Sequence, residues 1–293
     1  MYSKKDLTWG FELELSNVPK SFKIPDHLGK WEYCEADIIN TKGKYANICA
    51  DPLGINPPVG GEINTRPSKT KEDQVDRIME IIEMFKKEGF EPECGMTAHS
   101  HIHVHVKGLK VDIKSLKKLV EYVYFNQDFT FLNTYKYDSL DIPEDKIFSK
   151  IRYYLKNDGS RKLPEWLYKN IIKHSYDFES FIEMFKKGKD AITSIRPVRY
   201  GINLYNLKNT ETIEFRCFRG SVDKQELSDC FEFVEGFIIN ALNNWENVDK
   251  ILEKKKWKFP EPIFDEDQVE GWYNTKHHVE LVKNKNRKFW EAD

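Results

Sequence analysis

Half of the chain's eight histidines fall in one run, His99-Ser100-His101-Ile102-His103-Val104-His105-Val106. In a strand, alternation puts those four imidazoles on one face and Ile102, Val104 and Val106 on the other. Imidazoles two residues apart can chelate one metal ion, but the four span roughly 20 Å, so no single ion can use them all. A second run, Trp9-Gly10-Phe11-Glu12-Leu13-Glu14-Leu15, repeats the pattern with carboxylates. Phe11, Leu13 and Leu15 can face a core while Glu12 and Glu14 share the opposite surface, roughly 6.8 Å apart. Two neighbouring acids call for a cation; a solvated strand face would also carry them. A third segment, Gly61-Glu62-Ile63-Asn64-Thr65-Arg66-Pro67, presents Glu62 on a short strand bracketed by glycine and proline. The fourth pairs Ile202-Asn203-Leu204-Tyr205 with Thr212-Ile213-Glu214-Phe215-Arg216-Cys217-Phe218-Arg219. Alternation predicts Thr212, Glu214, Arg216 and Phe218 on one face and Ile213, Phe215 and Cys217 on the other. An acid and a guanidinium side by side there would suit a cross-strand ion pair as well as a site.

If these faces line one sheet, the surface gathers Glu12, Glu14, Glu62 and Glu214, one or two imidazoles and two or more arginines. Carboxylates that close repel unless cations neutralise them, and hard oxygen ligands select magnesium or manganese. Arginines beside such ions imply an anionic ligand, most naturally a polyphosphate. Nucleotide-dependent phosphoryl transfer on magnesium is the chemistry these groups suit. No Gly-x-x-x-x-Gly-Lys-Ser/Thr run occurs, which removes the P-loop class.

The elements that must position these groups follow from periodicity and turn residues. Strands are predicted at 8–16, 31–39, 61–65, 98–107, 200–205 and 212–218. A helix over 71–87 places Ile78, Ile81, Ile82 and Phe85 at helical spacing and stops at Gly89. A helical middle over about 113–187 and a helix over 224–243 complete the pattern. Strands and helices lack the regular alternation of a doubly wound fold, so α+β with an antiparallel sheet is expected. The 293 residues are 40% hydrophobic and 32% charged, as in a globular protein, with a formal net charge of -2 that gives no broadly basic surface. Nucleic acid is not implied, although a local patch leaves it open as a substrate. The five cysteines are scattered without Cys-x-x-Cys spacing, so neither a disulfide framework nor a cysteine zinc site is indicated. No stretch approaches roughly 18 uncharged apolar residues and the first residues hold no apolar leader, so a cytoplasmic protein without a membrane partner is expected.

Taken in order, Gly10-Phe11-Glu12-Leu13-Glu14, Trp31 to Asp37, Glu62 to Pro67, Ile102-His103-Val104-His105-Val106, and Asn203-Leu204 ahead of Thr212-Ile213-Glu214-Phe215-Arg216 resemble the amidoligase family. That family is related to glutamate-cysteine ligase and glutamine synthetase. The resemblance covers residues 9–223, apart from the helical middle. It implies one catalytic domain over 1–293, with a helical insertion at about 110–190 and a peripheral segment at about 248–293. The implied fold is a glutamine-synthetase-like antiparallel β-sheet funnel with flanking helices, holding ATP and Mg2+, or Mn2+, over its concave face. Glu12, His103 and Glu214 would resemble the ligands of the ion bridging the ATP phosphates, and Glu14 and Glu62 those of a second ion near the acceptor. Arg216 would stabilise the phosphoryl group in flight, and His105 and Glu62 would serve the acceptor side of catalysis. Arg199 and Asn203 stand where relatives contact nucleotide or substrate, Arg219 where it could assist the phosphates, and Asp37 where a further ligand or a substrate contact would lie. The chain departs from the pattern at His101, where many relatives have glycine, and after Asp37, where Gly-Ser is common.

The implied activity is ATP-dependent joining of a carboxylate to an amine through an acyl phosphate, releasing ADP and phosphate. Amino acid, peptide, protein side chain and modified base all remain open as substrates. Two other readings compete. A zinc hydrolase on His101, His103 and His105 would use the histidines but leave the acids idle. A catalytically inactive module would keep only nucleotide or anion binding.

Overall fold

The computed structural model describes residues 1–18, 22–33, 61–94, 99–134, 162–192 and 200–244. Its centre is a six-stranded sheet of β1 (Leu7–Leu15), β2 (Gly29–Tyr33), β3 (Gly61–Thr65), β4 (His99–Val106), β5 (Ile202–Asn203) and β6 (Thr212–Arg219), in the order β2-β3-β1-β4-β6-β5. The β2/β3, β3/β1, β1/β4 and β4/β6 ladders are all antiparallel. With its helices the chain is α+β, as expected. Among the described residues no helix is long and apolar enough to cross a membrane.

Two compact units divide the chain. The first comprises Ser3–Lys107 and Asn203–Glu235 and holds almost all of the sheet. Along β1 buried and half-exposed residues alternate without a break, because Leu7, Trp9, Phe11, Leu13 and Leu15 all face one side. Helix α1 (Lys71–Lys87) and the Lys224–Glu235 part of α5 (Lys224–Ile239) supply the apolar groups that meet them. Phe231 of α5 packs with ring centroids 5.7 Å from Trp9 and 5.3 Å from Phe11. Phe85 of α1 lies 5.1 Å from the Trp31 ring on β2. Emptying a site such as that of Phe231 costs about 3–5 kcal/mol.

Helix α1 starts where Thr70 accepts a hydrogen bond from the Asp73 amide at 3.2 Å, with Glu72 and Asp73 in its first turn and Lys86 and Lys87 in its last. Both ends therefore complement the helix dipole. Gly89 ends it with φ 84°, a conformation that favours glycine. Gln74, fully buried on α1, donates to the carbonyls of Trp9 and Arg66 at 2.9 and 2.7 Å and so ties the helix to the sheet it covers.

The second unit comprises Met1–Tyr2, Gly108–Ile202 and Gly236–Asp293. It contains α2 (Ile113–Thr134), α3 (Glu165–His174), α4 (Phe178–Ile192) and the end of α5, which passes into a π-helical turn at Asn240–Asn244. Tyr122, buried on α2, packs edge-on to Phe237 at 4.8 Å. Within the helical middle α3 and α4 are separate helices, and residues 135–161 lie outside the described ones. The expected strand at 200–205 is shorter: it ends after Asn203 and gives way to a 3-10 turn at Tyr205–Lys208.

Candidate functional site

The face of the sheet opposite Trp9 and Phe11 carries the polar residues singled out by the sequence, and the strand register sets their rows. Thr8 pairs with His105 and His105 with Thr212; Gly10 pairs with His103 and His103 with Glu214. One row along, Glu12 stands between Asn64 on β3 and His101 on β4. The last row is acidic: Glu14 faces Glu62 and Glu62 faces Glu32. All of these residues belong to the first unit.

Glu12, His103 and Glu214 converge: each offers a ligand atom, and the three atoms lie within 4.8 Å of one another. His103 Nε2 is buried and 3.1 Å from Glu12 Oε1, within ion-pairing distance but without a hydrogen bond. Its Nδ1 lies 3.3 Å from Thr212 Oγ1, which leaves Nε2 as the ligating atom. Glu214 is held on both oxygens. Oε2 accepts from Asn203 Nδ2 at 2.9 Å and from Asn206 Nδ2 at 2.6 Å, while Arg216 Nη1 pairs with Oε1. Arg216 Nε is buried with no hydrogen-bond partner, so the guanidinium has donor capacity to spare.

Burial and neighbouring charge pull against each other here. Burial would raise Glu12, yet the imidazoles of His101 and His103 beside it hold its carboxyl well below the usual carboxylate range. Burial lowers His101 and prevails over its bond to Glu12; for His103 burial again lowers, but Glu12 outweighs it and the pKa is raised. Burial, together with the charge of Glu12, raises Glu62. Two carboxylates and a buried imidazole nitrogen beside them form a donor set that fits a divalent cation such as Mg2+ or Mn2+.

No protein-family model matches the chain. No curated protein matches it either. Among solved structures it is similar to a bifunctional glutathione synthetase from Pasteurella multocida, with 11% sequence identity and a TM-score of 0.45, over 86% of this chain and 40% of that one. The chain thus spans about two fifths of that protein's length.

Of the residues predicted from sequence, Glu12, His103, Glu214, Arg216 and Asn203 come together. Glu14 and Glu62 face each other across the ladder, with Glu14 Oε2 accepting from the His99 amide at 2.9 Å and Glu62 Oε1 from Asn64 Nδ2 at 2.8 Å. His105 sits at the outer row, its Nδ1 3.0 Å from the Glu211 carbonyl. Among the described residues His101, His103 and His105 do not form a group with converging ligand atoms. Arg199 and Asp37 lie outside the described residues.

The predicted facing of β6 needs one correction. Ile102 pairs with Phe215 but Ser100 with Phe218, so β6 carries one residue more than β4 in that interval. This bulge sends Phe218 to the core, where it packs 6.1 Å from Phe233, and gives Arg219 the register position opposite His99. Sequence reasoning held His101 as a zinc alternative without pairing it to Glu12, and gave Asn206 no role. His101, 2% exposed, lies 2.9 Å through Nδ1 from Glu12 Oε2, and Asn206 reaches Glu214 from the 3-10 turn. The first follows from the β1/β4 register; the second has no signal in the spacing.

Proposed function

We propose that this chain is an ATP-dependent carboxylate-amine ligase, built on a glutamine-synthetase-like sheet and working through an acyl phosphate. The observation that carries the reading is the meeting of Glu12, His103 and Glu214 within 4.8 Å beside the Arg216 guanidinium. The ordered motifs that resemble the amidoligase family support it as well.

In this reading a substrate carboxylate oxygen bonds to the γ-phosphorus of ATP as the bond to the ADP oxygen breaks. An amine then forms the amide bond, loses a proton and expels phosphate. Glu12, His103 and Glu214 would hold one Mg2+ or Mn2+, with Glu14 and Glu62 serving a second. When bound, such ions offset the repulsion between an anionic nucleophile and the phosphates. Arg216 presents its unpartnered Nε and remaining donors to the oxygens of the phosphoryl group, where charge is greatest in the transition state. Asn203, assigned from sequence to nucleotide or substrate, acts here through Glu214 instead. Arg199 would contact nucleotide or substrate, and Arg219 would assist the phosphates.

The test is ADP release from ATP and magnesium against pools of carboxylates with amino acids or polyamines, using Glu214→Ala as control. Substrate-stimulated release that the variant lacks supports the ligase. Arg216→Ala should lower turnover by roughly 100-fold or more. Tight zinc binding without any ATP binding would replace the ligase with the hydrolase.

A further inference from the structure

Three glycines of the sheet differ in what a side chain would meet. At Gly29 an added Cβ would stand 2.3 Å from the Asn64 carbonyl oxygen, and at Gly61 2.1 Å from the Trp31 ring, so packing forbids a side chain at both. At Gly10 the nearest described atom is His103 Cβ at 3.5 Å, an ordinary van der Waals contact. The Gly10 backbone does not demand glycine either, because the positive φ values among the described glycines belong to Gly89 and Gly108. A glycine inside a strand weakens it through backbone entropy and the missing side-chain contact, and often marks a place where a ligand approaches the backbone closely.

The place of Gly10 on the sheet points to the ligand. It is half-exposed on the site face of β1 between Thr8 and Glu12, and it pairs with His103, which pairs with Glu214. It therefore shares a row with two of the three groups that converge within 4.8 Å and is the next site-face residue to the third. Gly10 also lines a hollow of about 390 Å³ that extends from Glu12 and His103 to Thr8 and His105. An oxyanion bound to a cation at Glu12, His103 and Glu214 would sit about 2 Å from it, so a polyphosphate held there must cross a neighbouring position of the face. On one side that position belongs to the acidic row of Glu14 and Glu62, which the ligase reading gives to a second ion near the acceptor. On the other side it is Gly10, where a side chain would rise into the hollow.

We propose that Gly10 is the seat of the nucleotide's polyphosphate, a specificity-determining position left without a side chain so that the phosphates cross β1 from the cation into the hollow. The proposal rests on the ligase reading, since it places that reaction's nucleotide. It puts His105, at the outer end of the same hollow, beside the nucleotide rather than on the acceptor side that the family resemblance implied. It also explains a glycine that neither packing nor backbone conformation requires: the strand gives up stability to keep this ground clear.

Gly10→Ala and Gly10→Val in the full chain test this. Urea melts read stability, electron paramagnetic resonance reads Mn2+ alone, and calorimetry at saturating Mn2+ reads a non-hydrolysable imido analogue of ATP and inorganic tripolyphosphate. Gly10→Ala should hold or raise the urea midpoint and keep Mn2+ affinity within about threefold, since its Cβ has room. Gly10→Val should weaken the ATP analogue and tripolyphosphate alike, by about tenfold or more, with a smaller loss in Gly10→Ala. A lowered midpoint, or an equal loss of Mn2+ affinity, in Gly10→Ala would make the glycine structural and overturn the proposal. Wild-type binding of both probes by Gly10→Val would overturn it too. Loss of the ATP analogue alone, with tripolyphosphate undiminished, would give the hollow to the nucleoside and overturn the polyphosphate seat. The expected losses without ADP release from any substrate pool would retire the ligase and keep the seat. Substrate-stimulated ADP release with a nucleotide KM untouched by Gly10→Val would keep the ligase and retire the seat.

Discussion

His101 and Glu12 stand directly across the β1/β4 ladder, and the 2.9 Å contact of the imidazole Nδ1 with Glu12 Oε2 leaves Glu12 Oε1 turned toward His103. A buried imidazole that is kept neutral orients the carboxylate without competing for the cation. His101→Phe should therefore weaken Mn2+ binding about 10- to 100-fold, as loss of an outer-shell partner does. Electron paramagnetic resonance titration of free Mn2+ reads this directly, and an unchanged dissociation constant would reduce His101 to a packing residue.

The raised pKa of His103 predicts opposite pH trends for stability and for metal binding. Burial pulls the ring down from 6.5, but Glu12 more than offsets it. In chelator-treated protein the proton's stabilising contribution is complete below the unfolded value of 6.5 and is lost as pH rises through the higher folded one. Metal needs the deprotonated ring, so Mn2+ affinity should increase with pH over that window, by up to about tenfold per pH unit. His103→Asn should flatten both trends in urea melts and Mn2+ titrations. A wild-type pH profile in the variant would remove His103 from the ligand set.

Gly61 opens β3 where no side chain fits. A Cβ there would stand 2.1 Å from the Trp31 ring, which is itself packed against Phe85. Gly61→Ala should cost about 1–3 kcal/mol through overpacking and displace Trp31. The urea midpoint and tryptophan fluorescence would show it; no change in either would mean that the ring moves aside freely.

The alternation in β1 and β4 made much of this site legible. Phe11 and Leu13 mark the core side, so Glu12 must point away from it, and the same holds for His103 against Ile102 and Val104. Cross-strand register is a property of two segments together, and this hid His101: only when Glu12 pairs with His101 does a seemingly surplus histidine acquire a partner. A bulge leaves no mark in composition either. Phe218 reads as a site-face residue until one extra residue in β6 reverses the order after Phe215. Likewise Ile202-Asn203-Leu204-Tyr205 looks like a continuous strand, with neither glycine nor proline to announce the 3-10 turn that follows Leu204.

That turn accounts for Asn206, and with it for the state of Glu214. A carboxylate only 3% exposed is costly unless its lone pairs are filled, and two amide groups on Oε2 with a guanidinium on Oε1 fill them. Asn203 comes from the end of β5 and Asn206 from the turn, so the chain reversal between them clamps one oxygen from two directions. In the proposed function the other oxygen, paired here with Arg216, is the one that would meet a cation. Asn206→Leu removes the 2.6 Å donor without adding charge. It should cost about 1–3 kcal/mol of stability and about tenfold or more in Mn2+ affinity. Asn206→Asp should be worse on both counts, because it sets a second carboxylate against the first. Calorimetric Mn2+ titration beside urea melts separates the two effects. Lost stability with undiminished affinity would make the asparagine pair a brace for the fold; lost affinity in a variant that still melts cooperatively would make it part of the site.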